Sequence, residues 1–303
     1  MKKLGLATAL LLAMTGAQAY QFEVQGQSEY IDTTENSKNY TGGVEGTYYL
    51  KDVDSSKGPL AEAAFINQAS NVSLAYNYAE YDVKNGQNYN INNYGVKAEA
   101  YVPAGNVPYI PVPVYASASY NHTDTDGKNN ISHDDNGDRF AVEVGAIVIP
   151  NLLVAAGYTS VPTQFSMDTF GIMSSGILAA DIESSVAIRD KRDAGTIRAK
   201  YVGPITGTNM SFGFETAATI GDMTVYGLKS DLYLNNKLSV GMKFLGTGAK
   251  ASTVGFDQAW GADVNYFITP AVGVGVSYLH ADSKNSAAFL DTDTVGLNAK
   301  FRF

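Results

Sequence analysis

An alternation of period two runs from about residue 21 to the C-terminus and limits what this chain can fold into. The last run shows it best. Val295, Leu297, Ala299, Phe301 and Phe303 alternate with Gly296, Asn298, Lys300 and Arg302. Successive side chains on a strand point to opposite faces, so this run has one apolar face and one polar, basic face. The pattern recurs at Val272, Val274, Val276 and Tyr278, at Trp260, Ala262, Val264 and Tyr266, and at Leu238, Val240, Met242 and Phe244. It recurs again from Phe140 to Val148. Followed along the chain, it predicts about fourteen antiparallel strands, with about twelve or sixteen as alternatives. They lie near residues 21–31, 40–51, 70–82, 92–102, 113–121, 138–149, 152–160, 194–202, 208–216, 223–234, 237–246, 257–268, 271–281 and 292–303.

An all-β chain of this kind is either a soluble sandwich or a transmembrane β-barrel. Three features favour the barrel. Most runs have the ~9–11 residues a tilted strand needs to cross a bilayer. The polar faces carry small and polar residues such as Ser117, Ser119, Gly273, Gly275, Ser277, Asn77 and Thr196, which suit a wet interior. The apolar faces end in tyrosines, among them Tyr30, Tyr48, Tyr76, Tyr78, Tyr120, Tyr158, Tyr226, Tyr266 and Tyr278. Tyrosine has an apolar ring and a polar tip and settles at headgroup level.

The connections alternate in length. Pro150-Asn151, Asn235-Asn236 and Thr269-Pro270 read as tight turns, while 122–137, 161–193 and 282–291 read as long polar loops. Short periplasmic turns and long extracellular loops are the outer-membrane arrangement. Two connections depart from it. Residues 52–69 fall where a short turn belongs, and Leu60 to Ala69 has the composition of a short helix, at the barrel mouth or tucked inside. Loop 161–193 is unusually apolar around Phe165–Met173 and Ile177–Ala180, which predicts either an inward fold or a cap over the rim.

The N-terminus agrees with an exported barrel. Lys2 and Lys3 precede an apolar run from Leu4 to Met14, and Ala17-Gln18-Ala19 has the form of a signal-cleavage site. Residues 1–19 are therefore expected to be a signal peptide, and 20–303 one barrel domain beginning at Tyr20. Losing both lysines takes the net charge from −9 to −11. The absence of cysteine excludes disulfides, cysteine-based zinc sites and a lipoprotein anchor. The acidic balance argues against nucleic acid. No zinc cluster or glycine-rich phosphate loop points to a cofactor. The terminal Phe303 has the form of the signal read by the barrel-assembly machinery.

The segments Tyr20-Gln21-Phe22-Glu23-Val24, Gly58-Pro59-Leu60-Ala61-Glu62-Ala63-Ala64-Phe65 and Ala299-Lys300-Phe301-Arg302-Phe303 resemble porins of the thirty-three-to-thirty-six-kilodalton outer-membrane class. The likeness runs through most of the chain. It implies a fourteen-stranded monomer in outer-membrane lipid and lipopolysaccharide, acting as a narrow passive channel for water and small solutes. It carries no catalytic motif. A closed structural or adhesion barrel is the alternative, and a hydrolase at the rim a more distant one.

The parity opposite to the apolar faces predicts the lumen. The candidate pore-lining residues are Glu45, Lys97, Glu99, Arg139, Glu143, Arg198, Lys200, Lys229, Asp231, Lys243, Asp263, Lys300 and Arg302, with Glu23 and Glu215 on the same faces. Both signs occur, so the charges either brace the wall as pairs or form segregated rows that orient solutes. The doublets Arg198/Lys200 and Lys300/Arg302 are the first candidates for selectivity, because basic rings favour anions. Lys243→Glu should then fold normally and change ion preference. Of the three histidines, His280 lies near Ser277 and Ser283 but reads as interfacial. His122, Asp124, Asp126, His133, Asp134 and Asp135 share one predicted outer loop, where acid–base chemistry is conceivable but opposed groups would be poorly held. Asp124 to Asn129 faintly resembles a calcium loop, yet Asp135 stands where such a loop needs its bidentate Glu, so a solvated turn is expected.

Overall fold

A computed structural model describes residues 19–33, 36–83, 88–128, 135–161, 168–170, 192–221, 224–247, 258–282 and 292–303. The predicted signal run Leu4–Met14 lies outside them, as do His133, Asp134 and Ser283.

Fourteen strands close into one barrel: β1 (Ala19–Thr33), β2 (Asn36–Asp54), β3 (Asn71–Val83), β4 (Asn88–Val102), β5 (Val114–Lys128), β6 (Asp135–Ile149), β7 (Leu152–Val161), β8 (Arg192–Pro204), β9 (Ser211–Ile220), β10 (Val225–Tyr233), β11 (Leu238–Thr247), β12 (Gln258–Thr269), β13 (Val272–Asp282) and β14 (Thr292–Arg302). Each strand pairs antiparallel with its sequence neighbours, and β14 returns to β1. Closure leaves no free strand edge, which a hydrocarbon environment requires because nothing there can satisfy an exposed backbone group. The seam is fixed by register, with Glu23 opposite Arg302 and Tyr30 opposite Val295. Phe303 continues it: its N–H donates to the Phe22 carbonyl at 2.9 Å, and its own carbonyl accepts from Gln21 and Phe22.

The packing is inside-out relative to a soluble protein. Leu74, Val144, Met242 and Leu297 are each more than 60% exposed on the outer face, while Glu29, Asn39, Asn93 and Arg302 are buried within. Aromatic pairs such as Phe22–Tyr48, Tyr76–Tyr94, Tyr120–Phe140 and Trp260–Tyr278 mark the ends of the apolar band. No described helix is long and apolar enough to cross a membrane.

The tight turns fall where predicted. Several boundaries differ: β2 begins at Asn36 and β4 at Asn88, each about four residues before the expected start, and two further differences have a local cause. The predicted loop 122–137 is mostly strand, since β5 continues to Lys128 and β6 begins at Asp135. Beyond Tyr120 the outward positions become His122 and Asp124, so the apolar half of the alternation ends while the backbone ladder goes on. Likewise β9 begins at Ser211, not near 208. Gly207 takes a φ of 82°, and the Thr208 hydroxyl accepts from the Met210 N–H, which together make a turn of 205–210.

The oversized connection 52–69 folds into the barrel. Pro59 leads into a 3-10 turn, Leu60–Glu62, followed by the one-turn helix α1, Ala63–Ile66. Asn67 ties the segment back on itself, its amide donating to the carbonyls of Asp54 and Ala63 at 2.8 Å each. Ala63 and Ala69 pack with Tyr20, Tyr49 and Val53 on the inner wall. On the far side, the Leu60 N–H donates to the Asn236 carbonyl in the β10–β11 turn at 2.8 Å. The segment thus crosses from β2–β3 to β10–β11.

Candidate pore and its constrictions

Most charges that line the interior are in contact with opposite charges. Near the seam, Glu23 lies 2.7 Å from Arg302 Nε and 3.0 Å from Lys300 Nζ. The Arg302 guanidinium also sits between the rings of Tyr20 and Phe267, 4.6 Å from each centroid. On β4, Lys97 meets Glu99 at 3.0 Å, and Tyr115 of β5 donates to Glu99 at 2.7 Å. Arg198 on β8 bridges Glu143 of β6 at 2.6 Å and Glu215 of β9 at 3.3 Å, and donates to the Tyr115 hydroxyl at 2.9 Å. Lys229 faces Asp231 at 3.4 Å, and Lys243 faces Asp263 at 3.1 Å. Glu45 lies beside the Thr47 hydroxyl at 3.4 Å.

This geometry changes two expectations. Each basic doublet proposed for anion preference carries carboxylates within ion-pair distance, so neither presents a bare positive row. Replacing Lys243 by Glu would set a carboxylate against Asp263 at a site where both side chains are more than nine-tenths buried. Normal folding is no longer expected of that variant, because two like charges would face each other out of water.

Two insertions narrow the lumen. The first is the turn Leu60–Ile66. Glu62 reaches Lys200 on β8 at 2.9 Å and accepts from the Tyr233 hydroxyl on β10 at 2.8 Å. Burial raises the Glu62 carboxyl pKa, but the Lys200 and Lys229 ammoniums more than offset this and hold it below the ordinary value. Lys200 also lies over the Phe65 ring, 5.0 Å from its centroid. The second insertion comes from the apolar loop 161–193, of which 168–170 are described between the ends of β7 and β8. Asp168 lies 3.8 Å from Arg139, which also donates to Thr159. The Thr169 N–H donates to Asn121 at 3.0 Å, the Thr169 carbonyl accepts from Asn77, and Phe170 is buried against Ala75. These contacts reach the inner wall of β3–β6, so this part of the loop folds inward. Gly95 makes room for it: a Cβ there would come within 3.0 Å of Phe170 and Asn121 side-chain atoms.

Two cavities of about 420 and 200 Å³ remain around the first insertion, sharing Glu45, Ala61, Glu62, Lys200 and Lys300 in their linings. Sequence reasoning did not single out Glu62, Tyr115, Tyr233, Asp168 or Phe170. Glu62 had a signal, being the one charge in the apolar stretch from Leu60 to Ala69. Tyr115 and Tyr233 had another, as aromatics on the parity of Ser117 and Asp231.

Both described histidines stand apart from the lumen. His122 is held on the outer face by Asp124 at 3.1 Å and Asp138 at 2.7 Å, and His280 by Asp282 and Asp293 at 2.9 Å each. Ser277 is buried on the inner face, opposite to His280, so the two do not form a nucleophile–base pair. Among the described residues no group of three or more His, Cys, Asp or Glu is arranged to hold a metal ion.

A charge-lined, fourteen-stranded barrel narrowed from both ends has the architecture of a diffusion channel, and the whole chain, residues 1–303, matches the family model described as "Putative general bacterial porin". The chain belongs to this porin family. The porin is similar to the crystal structure of the outer membrane protein Omp33 from Acinetobacter baumannii, with 46% identity over 94% of this chain and 99% of that one, and a TM-score of 0.67. A deletion mutant of TodX, a monoaromatic hydrocarbon channel, shares the fold at 8% identity, with a TM-score of 0.54 over 96% of this chain and 92% of that one. No match was found among curated proteins. The family and the likeness to Omp33 place the porin in the outer membrane.

Proposed function

We propose that this porin is a narrow passive channel for water and small hydrophilic solutes, limited by the Leu60–Ile66 turn on the periplasmic side and by the Asp168–Phe170 segment on the extracellular side. One observation carries the reading: charge-lined cavities persist on the flanks of the inserted turn, where a purely structural barrel would fill its interior with side chains. Paired lumen charges give a polar path while limiting the cost of burying each ion. No catalytic step enters this reading. Its working form is the monomer, its surroundings outer-membrane lipid and lipopolysaccharide, and its route there the barrel-assembly machinery acting on Phe303.

Liposome swelling with a graded series of sugars and amino acids tests the reading. Glycine-sized solutes should enter and disaccharides should not. Vesicles that swell in no solute, together with silent planar bilayers, would favour the closed structural barrel. The Leu60–Asn236 and Glu62–Lys200 contacts are the observations that support that alternative.

A further inference from the structure

We infer that Glu45 is the binding point for a small solute carrying a primary ammonium group. The inference rests on the reading of the interior as a solute path and adds the class of solute that the path holds. It starts from a mismatch of charge. The larger cavity is lined by five carboxylates and four lysines. Glu62 and Glu215 share Lys200, at 2.9 and 3.6 Å. Asp231 has Lys229 at 3.4 Å, and Asp263 has Lys243 at 3.1 Å. Lys300, the fourth lysine, is turned to Glu23 at 3.0 Å. Among the described residues Glu45 is the one carboxylate of this lining with no ammonium or guanidinium in ion-pair contact. Its hydrogen-bond neighbour is the Thr47 hydroxyl at 3.4 Å, and the nearby Lys97 is paired with Glu99 at 3.0 Å.

A carboxylate held in a narrow lumen without a fixed counter-charge recruits a mobile one, because leaving it unpaired costs several kcal/mol. Glu45 is placed to do so, since it lines both cavities at their junction. One carboxylate without an ion-pair contact suits one monovalent cation, and among the described residues no chelating cluster stands beside it for a divalent metal. A primary ammonium group finds its acceptors there. Its three N–H donors need three acceptors, and beside the Glu45 carboxylate stand the hydroxyls of Thr47 and Ser73, 2.7 Å apart. The rest of the solute extends into the larger cavity, where Asn265 and Asn298 supply neutral hydrogen-bonding groups. An anionic tail gains little there, because every lysine of the lining is already engaged.

The test is methylammonium binding to the full-length barrel in detergent, followed by saturation-transfer NMR, with acetate as the anionic control. Wild type should bind methylammonium in preference to acetate. Glu45→Gln, which keeps shape and removes charge, should weaken binding by about tenfold or more, and Glu45→Asp should restore part of it. Equal binding by wild type and Glu45→Gln, or none by wild type, would overturn the inference. Potassium displacing methylammonium at equal concentration would overturn the ammonium assignment and leave a general cation site. Binding needs no current, so a conducting protein that does not bind methylammonium defeats only this inference. A binding protein that does not conduct defeats only the channel reading.

Discussion

The Glu62 carboxylate, on a turn that enters the barrel from its periplasmic end, lies 2.9 Å from the Lys200 ammonium on the wall of β8. Tyr233 donates to the same carboxylate from β10. Three distant stretches of chain therefore meet at one acidic group inside the lumen. Removing one partner of a buried pair costs about 3–5 kcal/mol. Lys200 keeps Glu215 at 3.6 Å, which puts Glu62→Gln at the lower end, about 3 kcal/mol. The turn should dock less tightly and single-channel conductance should rise. An unchanged conductance would mean that the turn does not limit flow.

Acid should act on the same contact. Burial pushes the Glu62 carboxyl up, and Lys200 and Lys229 pull it lower still, so the folded value lies below the ordinary one. Docking is therefore at full strength above the unfolded value of about 4.3 and is lost as pH falls through the folded value. Conductance should be constant from neutral pH down to about 5 and increase below about 4. Glu62→Gln should remove that acid-induced rise. A rise centred near neutral pH would point to another group.

Gly95 controls the other constriction. Gly95→Val introduces side-chain atoms into the space held by Phe170 and the Asn121 amide. A β-branched residue suits a strand, so β4 should persist while the Asp168–Phe170 segment is displaced. Larger sugars should then enter liposomes faster than with wild type. Slower entry would indicate that valine itself blocks the path.

The two faces of the wall can be told apart by charge. Val144 is 66% exposed on the outer face, and Val144→Lys should cost ~2–4 kcal/mol if it sits near mid-membrane. Refolding into lipid vesicles, read by heat-dependent electrophoretic mobility, should show that loss. Lys243→Glu should also fold less well, through repulsion from Asp263, and the double variant Lys243→Glu/Asp263→Lys should recover. Failure of the double variant to recover would show that packing at this site matters more than the ion pair.

Alternation was legible because it is local. The parity that put Val144 and Leu297 outside and Lys243 and Arg302 inside needs only a run of about ten residues to be read. Strand ends were less legible where outward residues turned polar, as at His122 and Asp124, since a strand standing in water carries no apolar signature. Loop 161–193 and segment 52–69 announced themselves by composition, but composition does not say which wall a segment meets. Phe170 is apolar wherever it packs; Gly95 and Ala75 decide that it packs inward.

The sequence by itself determined an outer-membrane barrel with an apolar outside and a charged inside, because each of those properties repeats with every strand. Tertiary structure alone decided which charges neutralise one another and which is left over. Arg198 bridges Glu143 and Glu215, Lys200 turns to Glu62, and Glu45 has no ion-pair contact among the described residues. Those relations depend on the register that barrel closure imposes between β14 and β1 and on the path of a turn across the lumen. No local period encodes either one, since both concern side chains brought together only when the sheet closes.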